Sequence, residues 1–290
     1  MTAPAGTPGG PVAQGGVTAV GGKVDAGVRV RALEAHLRAR RAGGRPLLVP
    51  YVTGGITADW VDYLRAFADA GADAIEIGLP FSDPMLDGAT IQEASDAALR
   101  RGATPRGILA DLAGVDVGVP LVAMTYLNLV LRDGPVAFCA ALHAAGVSGL
   151  IVPDLPLEEV DQLAGAAEAG IELVLLASPA TPPDRLAEIA ARSRGFVYAV
   201  SLMGTTGERA TLAASATRLA AQLKLGTDRP VLLGFGISTP GHAREAAGSA
   251  DGVVVASALM RQVLDGADAA MVGAQLAEIR AALDDSPVVV

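Results

Sequence analysis

The chain of 290 residues is 51% hydrophobic and 18% charged, so it can bury a large core and is compatible with one large domain. Its formal net charge of −9 excludes the extended basic surface that nucleic acid or an anionic membrane would require. The single cysteine, Cys139, cannot form an internal disulfide, so we expect a buried structural thiol and a reducing cytoplasm. No uncharged apolar run reaches 18 residues, so no membrane span is expected.

The first 27 residues differ in composition from the rest of the chain. They contain eight Gly and three Pro and lack the apolar h-region of a secretory signal. We therefore expect a flexible Gly/Pro-rich tail over residues 1–27 and a single folded domain over residues 28–290.

Short apolar runs then recur along the chain, separated by segments of helical length. These runs span residues 46–52, 72–79, 119–126, 147–152, 171–177, 195–201, 229–235 and 250–256. The segments between them are amphipathic and Ala-rich, and several end in Gly at the expected helix C-cap. Parallel strands with helical crossovers produce this alternation, either in a barrel or in a doubly wound open sheet. The count of eight strands favours the α/β class with a single (β/α)8 TIM barrel.

Two further helices are predicted at the ends of this domain. An extra N-terminal helix within residues 28–44 precedes the first strand and would cover the bottom of the barrel. Residues 268–283 would form the last outer helix.

The stretch EIGLPFSDPMLDG, residues 76–88, places a carboxylate on the second strand. Aliphatic residues alternate there with Glu76 and its small neighbours Ala74 and Gly78, so the carboxylate faces the barrel interior. An ionised carboxylate in an apolar interior is costly unless it is partnered, hydrated or neutralised by a shifted pKa. Because barrel active sites lie at the C-terminal ends of the strands, Glu76 is a candidate catalytic acid or base. The alternative is a hydrogen-bonded structural carboxylate.

Other polar residues are predicted near the same end of the barrel. Asp87 follows strand 2, where it either shares the site with Glu76 or caps the next helix. Tyr198 on strand 6, and Tyr126 and Asn128 at the end of strand 3, would approach the site as well. A tyrosine with its ring in the core is common, so these three residues are weak indications alone.

Glycine-containing turns follow strands 6, 7 and 8. They are MGTTGE at residues 203–208, GFGIS at 234–238, and the turn in which Ser257 begins the next helix. Barrels commonly bind phosphate after strands 7 and 8 through backbone N–H groups and a helix N-terminus. The last two turns contain no Arg or Lys, so binding there would depend on amides and helix dipoles. An ordinary loop is the alternative for each turn.

The positions of lysine and histidine restrict the mechanism. A Schiff-base route needs a lysine in the site, yet Lys23 lies in the tail and Lys224 in a predicted outer helix. A metal route needs clustered ligands, and His36, His143 and His242 all fall in helical patterns far from the strand ends. Carboxylates and tyrosine would therefore act as general acids and bases on a substrate that supplies its own electron sink.

The stretch EIGLPFSDPMLDG resembles the signature of the tryptophan synthase alpha subunit family. Residues 28–283 are similar to that family in the order and spacing of PYVTGG, YLNLV, PDLP and GFGIS. The combination is specific, whereas each short motif alone is not. The resemblance implies a lyase of tryptophan biosynthesis that cleaves indole-3-glycerol phosphate to indole and glyceraldehyde 3-phosphate. The indole ring would then be the electron sink.

The resemblance also implies roles for individual residues. Glu76 would shuttle a proton between the glycerol hydroxyl and indole C3, Asp87 would hold the indole N–H, and Tyr198 would assist near Glu76. Substrate-binding roles are implied for Tyr126, Asn128, Thr206, Gly207, Phe235, Gly236 and Ser257. Of these, Gly207, Gly236 and Ser257 would hold the phosphate, and Thr206 would help close the strand 6 loop over Asp87.

A partner is implied in the same way, namely the pyridoxal-phosphate beta subunit of an alpha2beta2 complex, which would receive indole through a tunnel. The chain itself would bind no cofactor and no metal. The loop after strand 2, with apolar Met85 and Leu86, and PDLP at residues 153–156 are the candidate contact surfaces.

Three alternatives remain open. A stand-alone lyase would carry the same motifs and release free indole. A catalytically silent barrel that acts as an activating subunit need not keep both Glu76 and Asp87. A different phosphate-binding isomerase would not need an apolar mouth of indole size.

Overall fold

The computed structural model of the chain describes residues 1–2, 31–200, 209–234 and 236–286, with the backbone alone over 209–214. Nearly all of the predicted tail lies outside the described residues. The turn with Thr206 and Gly207, and also Phe235, lie outside them as well.

Eight parallel strands form a closed barrel in which each strand pairs with the next and β8 pairs with β1. The strands are β1 Leu47–Thr53, β2 Ile75–Gly78, β3 Leu121–Met124, β4 Val147–Ile151, β5 Glu172–Ala177, β6 Val197–Val200, β7 Val231–Gly234 and β8 Gly252–Val255. Each predicted strand overlaps one of them, so the (β/α)8 barrel is confirmed and the open sheet is wrong. The C-terminal ends of the strands are called the mouth below, and the N-terminal ends the bottom.

Helices surround the barrel. They are α1 Leu33–Ala42, α2 Trp60–Asp69, α3 Ala89–Arg100, α4 Pro105–Leu112, α5 Leu127–Arg132, α6 Pro135–Ala144, α7 Gly165–Glu168, α8 Pro183–Arg192, α9 Arg209–Gly226, α10 Pro240–Ala247, α11 Ser257–Leu264 and α12 Ala269–Asp284, with a 3₁₀ helix over Leu157–Leu163. No helix within the described residues is both long enough and apolar enough to span a membrane.

The strands are buried on both faces because helices cover the outside of the barrel and side chains fill its interior. On β2, Ile75 and Ile77 pack in the layer between strands and helices, whereas Ala74 belongs to the interior cluster. The predicted alternation on this strand is therefore confirmed. The register sets Glu76 beside Tyr51 of β1 and Val122 of β3.

Helix α1 closes the bottom of the barrel, as predicted for the extra N-terminal helix. Leu33 and Leu37 are fully buried in the interior cluster. The Glu172 carboxylate at the start of β5 accepts a hydrogen bond from the backbone N–H of Glu34 at 2.8 Å, which anchors the first turn of α1. Arg40 of α1 binds the buried Asp73, just before β2, at 2.7 Å. Polar contacts at the bottom of the barrel therefore hold α1 in place, and they leave the mouth available for an active site.

Candidate active site

Glu76 lies in the barrel interior with only 1% of its surface exposed. Among the described residues, its Oε2 atom is buried and has no hydrogen-bond partner. Burial, followed by the charge of Asp87, raises the pKa of Glu76 to about 8. A structural carboxylate would be expected to have its oxygens satisfied, so an unpartnered oxygen and a raised pKa favour a functional group.

Asp87 lies in the loop after β2 and is half-buried. The Tyr126 hydroxyl donates a hydrogen bond to its carboxylate and accepts one from the backbone N–H of Leu86 at 3.0 Å. Burial raises the pKa of Asp87 to about 6, and the Tyr126 hydrogen bond acts in the opposite direction. The N-cap of α3 is Gly88, so the alternative that Asp87 caps this helix is wrong.

A cleft at the mouth joins Asp87 to an apolar and aromatic surface. Its lining comprises Tyr51, Gly78, Leu79, Phe81, Asp87, Ser95, Met124, Thr125 and Tyr126. The rings of Phe81 and Tyr126 are stacked with their centroids 5.2 Å apart. The walls combine aromatic and apolar side chains with one carboxylate, and in this structure the cleft has a volume of about 10 Å³, which is room for about one water molecule.

Tyr51 is a site residue that the sequence interpretation missed. A methyl group on Gly78 would overlap the Tyr51 hydroxyl, so the ring lies directly over this glycine. The Tyr51 hydroxyl also lies 3.2 Å from Oγ1 of Thr53. Leu47 and Val49 of the same strand belong to the interior cluster, and a period of two from them would have indicated Tyr51.

Tyr198 lies on β6 and is also buried in the interior. Burial, and then the charge of Glu76, raise the pKa of Tyr198 well above its ordinary value. Tyr198 belongs to the interior cluster, as does Ala74, which lies on the same face of the chain as Glu76, so the two groups share the barrel interior. Asn128, in contrast, lies in the first turn of α5 with its side chain exposed and is not among the residues that line the cleft.

The turns after β7 and β8, where phosphate binding is expected, are described except for Phe235. Gly236 has a φ of +56°, and a Cβ added there would meet open space. Ser257 begins α11, as predicted, and the N-cap residue Ala256 has no side-chain oxygen to cap the helix. The backbone N–H groups at such a helix start attract an anion.

One prediction about histidine is wrong. His242 does lie in α10, but its Nδ1 atom is 3.2 Å from the carbonyl oxygen of Gly236, in the turn after β7. The connection between β7 and α10 is short, so a side chain in the first helical turn reaches back to the strand end. Within the described residues, no group of three or more potential ligand side chains could hold a metal ion.

The fold and the site together define a (β/α)8 barrel with one buried carboxyl group in its interior and a second at its mouth, where the active sites of barrel enzymes lie. The family model described as tryptophan synthase alpha chain matches residues 37–285. The tryptophan synthase alpha chain of Chloroflexus aurantiacus is 46% identical over 226 residues, covering 76% of this chain and 85% of the relative. That of Gloeobacter violaceus is 44% identical over 256 residues, covering 86% and 91%.

Solved structures agree with these sequence matches. A chain of tryptophan synthase from M. tuberculosis, in an aminoacrylate-bound form, has a TM-score of 0.78 at 36% identity, covering 87% of this chain and 100% of that one. The tryptophan synthase alpha subunit of Legionella pneumophila has a TM-score of 0.79 at 31% identity, covering 87% and 98%. The chain belongs to the tryptophan synthase alpha chain family, and it is a lyase of tryptophan biosynthesis.

Proposed function

We propose that Glu76 and Asp87 together carry the cleavage of indole-3-glycerol phosphate to indole and glyceraldehyde 3-phosphate. The supporting observation is a buried carboxyl with a raised pKa, coupled to a second carboxyl in an aromatic cleft. A group whose pKa is near the working pH can both give and take a proton in one turnover, and Glu76 meets this condition with its pKa of about 8.

The proton moves in two steps. Protonated Glu76 gives its proton to C3 of the indole ring, which leaves the ring nitrogen positively charged. The resulting carboxylate then takes the proton from the hydroxyl on the adjoining glycerol carbon. The bond between C3 and that carbon breaks, its electron pair returns to the ring, and the aldehyde of glyceraldehyde 3-phosphate forms. Glu76 ends the cycle protonated, as it began.

Asp87 acts on the ring nitrogen. A carboxylate beside the indole N–H stabilises the positive charge that develops there after C3 is protonated. The Tyr126 hydroxyl orients this carboxylate through its hydrogen bond. Tyr198 assists near Glu76. Tyr51 and Phe81 form walls of the site that holds the indole ring.

The phosphate lies against the turns that follow strands 6, 7 and 8. Gly207, Gly236 and Ser257 supply backbone N–H groups, and Thr206 helps close the strand 6 loop. Phe235 and Asn128 are proposed as further substrate contacts. The exposed side chain of Asn128 fits a contact at the rim better than one inside the cleft.

The test is indole release from indole-3-glycerol phosphate by the purified full chain, measured with and without a beta subunit. Competition by indolepropanol phosphate is compared with competition by a simple sugar phosphate. Indole release that indolepropanol phosphate inhibits supports the proposal. A chain that binds only the sugar phosphate and releases no indole would be a different isomerase. A chain that only activates the beta subunit would be a silent barrel.

We further propose a cytoplasmic alpha2beta2 complex with the pyridoxal-phosphate beta subunit, to which indole passes. Met85 and Leu86 in the loop after β2 are 78% and 48% exposed, which leaves an apolar surface beside the cleft. Coelution of the chain with its beta subunit, lost when both residues are changed to serine, would support this contact. Full activity without any beta subunit would instead favour the stand-alone lyase.

A further inference from the structure

The turn after β7 is tied to the start of α10 by side-chain contacts. Thr239 is the N-cap of α10, and its Oγ1 atom accepts a hydrogen bond from the backbone N–H of His242 at 3.2 Å. This contact fixes the first helical turn relative to the segment that leads into it. His242 is thereby held at the edge of the turn that begins with Gly236.

The imidazole of His242 then reaches back over this turn. Its Nδ1 atom lies 3.2 Å from the carbonyl oxygen of Gly236 and 3.2 Å from Oγ of Ser238. A carbonyl oxygen can only accept, so the contact with Gly236 requires that Nδ1 carries the hydrogen and donates it.

Fixing the carbonyl group of Gly236 also fixes the backbone N–H group of Ile237. The peptide unit between Gly236 and Ile237 is planar and trans, so its C=O and N–H point in opposite directions. The hydrogen bond from His242 to the Gly236 oxygen therefore sets the direction in which the Ile237 N–H is presented. Without this contact, the left-handed Gly236 would have the backbone freedom to reorient the unit.

We propose that His242 is a positioning residue for the substrate phosphate, an inference that rests on the proposed function. It holds residues 236–238 in the conformation that presents backbone N–H groups to the phosphate. The segment GISTPG, residues 236–241, contains no Arg or Lys, so the order of the backbone decides how well the anion is bound there. His242 does not touch the reacting carbon atoms, so it affects binding of the phosphate-bearing ligands more than the chemical step.

The test compares His242→Ala with His242→Asn in the full chain. Asparagine places its side-chain N–H near the position of Nδ1 and can still donate to the Gly236 carbonyl, whereas alanine cannot. His143→Ala is the matched control, because His143 is an exposed histidine on α6. Indole release gives KM for indole-3-glycerol phosphate and kcat, and the reverse reaction gives separate KM values for glyceraldehyde 3-phosphate and for indole.

Loss of one hydrogen bond of ordinary strength predicts a rise of about five- to tenfold in KM for both phosphate ligands in His242→Ala. The value of kcat and the KM for indole should stay within about twofold of wild type, because indole has no phosphate. His242→Asn and His143→Ala should resemble wild type in every parameter.

Two results would overturn the inference: an unchanged KM for the phosphate ligands in His242→Ala, or an equal rise in the KM for indole. Failure of His242→Asn to restore binding would also overturn it, because the donor would then not be the feature that matters. An inactive wild-type chain would instead contradict the proposed function, and titration with inorganic phosphate would then compare His242→Ala with wild type directly. Equal phosphate affinity in that titration would overturn the inference on its own.

Discussion

Glu76→Gln is expected to abolish cleavage and to remove a pH-dependent loss of stability. The pKa of Glu76 is raised from 4.5 to about 8, by burial first and then by Asp87. Between these two values the folded chain binds more protons than the unfolded chain, so the free energy of unfolding falls as the pH rises. This stability is fully present below about pH 4.5 and is lost as the pH rises through about 8.

The magnitude follows from the size of the pKa shift. The shift corresponds to about 5 kcal/mol once Glu76 is fully ionised, and to a fall of about 3 kcal/mol between pH 5 and pH 8. Glutamine keeps the shape and cannot ionise, so the variant should lack this fall. A buried amide has its own desolvation cost, but that cost does not change with pH.

Urea unfolding at pH 5 and pH 8 measures the difference, with Glu168→Gln as the control because Glu168 is an exposed glutamate on α7. Wild type and the control should lose about 3 kcal/mol relative to Glu76→Gln over this range. Loss of the proton shuttle should also lower kcat by about 100- to 10,000-fold. Parallel stability curves for all three proteins, or more than about a tenth of the wild-type rate in Glu76→Gln, would refute the reasoning.

Three further changes probe the rest of the site. Asp87→Asn should lower kcat by about 100-fold with a smaller rise in KM, because the carboxylate matters most when the indole nitrogen becomes positive; steady-state kinetics on indole-3-glycerol phosphate measure both. Tyr126→Phe removes the hydrogen bond that lowers the pKa of Asp87, so this pKa should rise above about 6 and the acid limb of the kcat profile should move to higher pH. Gly236→Asp should weaken glyceraldehyde 3-phosphate binding by about 10-fold or more while indole binding changes little, as titration of both ligands would show.

Each of these three predictions has its own control or contrary result. An Asp87→Asn loss confined to KM would mean that the carboxylate acts in ground-state binding only. An unmoved acid limb in Tyr126→Phe would mean that another group titrates there. Gly236→Asn is the matched control for Gly236→Asp, because both side chains tolerate the left-handed conformation and only Asp adds charge. Equal weakening in these two variants would point to the backbone instead of charge.

The barrel was predictable because its strands follow simple rules. Each strand is a short apolar run between helical segments, and the alternation on β2 was enough to place Glu76 in the interior. The predicted runs extend beyond the paired strands. The chain there remains apolar and continues to form backbone hydrogen bonds after the regular pairing between strands has ended. Leu79, for example, still donates to the Met124 carbonyl after β2 has ended.

The site was less predictable because its contacts join residues that are distant in sequence. Asp87 was open to two interpretations, because the sequence alone did not show that Gly88 is the N-cap of α3 or that the Tyr126 hydroxyl, 39 positions away, binds the Asp87 carboxylate. The helical pattern located His242 in α10 but did not show how far its ring reaches across the turn. The period of two along β1 could have placed Tyr51 in the barrel interior, but it does not show whether an interior tyrosine lines a cleft or fills the core.

Helix α1 closes the bottom of the barrel, and this position has a practical consequence for handling the protein. Arg31, just before α1, binds Asp116 ahead of β3, and Arg280 of α12 donates to the Pro46 carbonyl at the entry to β1. Both described ends of the folded domain therefore meet the barrel at its bottom, opposite the mouth. A chain attached to a solid support before residue 31 or after residue 286 should present its catalytic end to the solution. Either attachment should leave indole release close to that of the free chain.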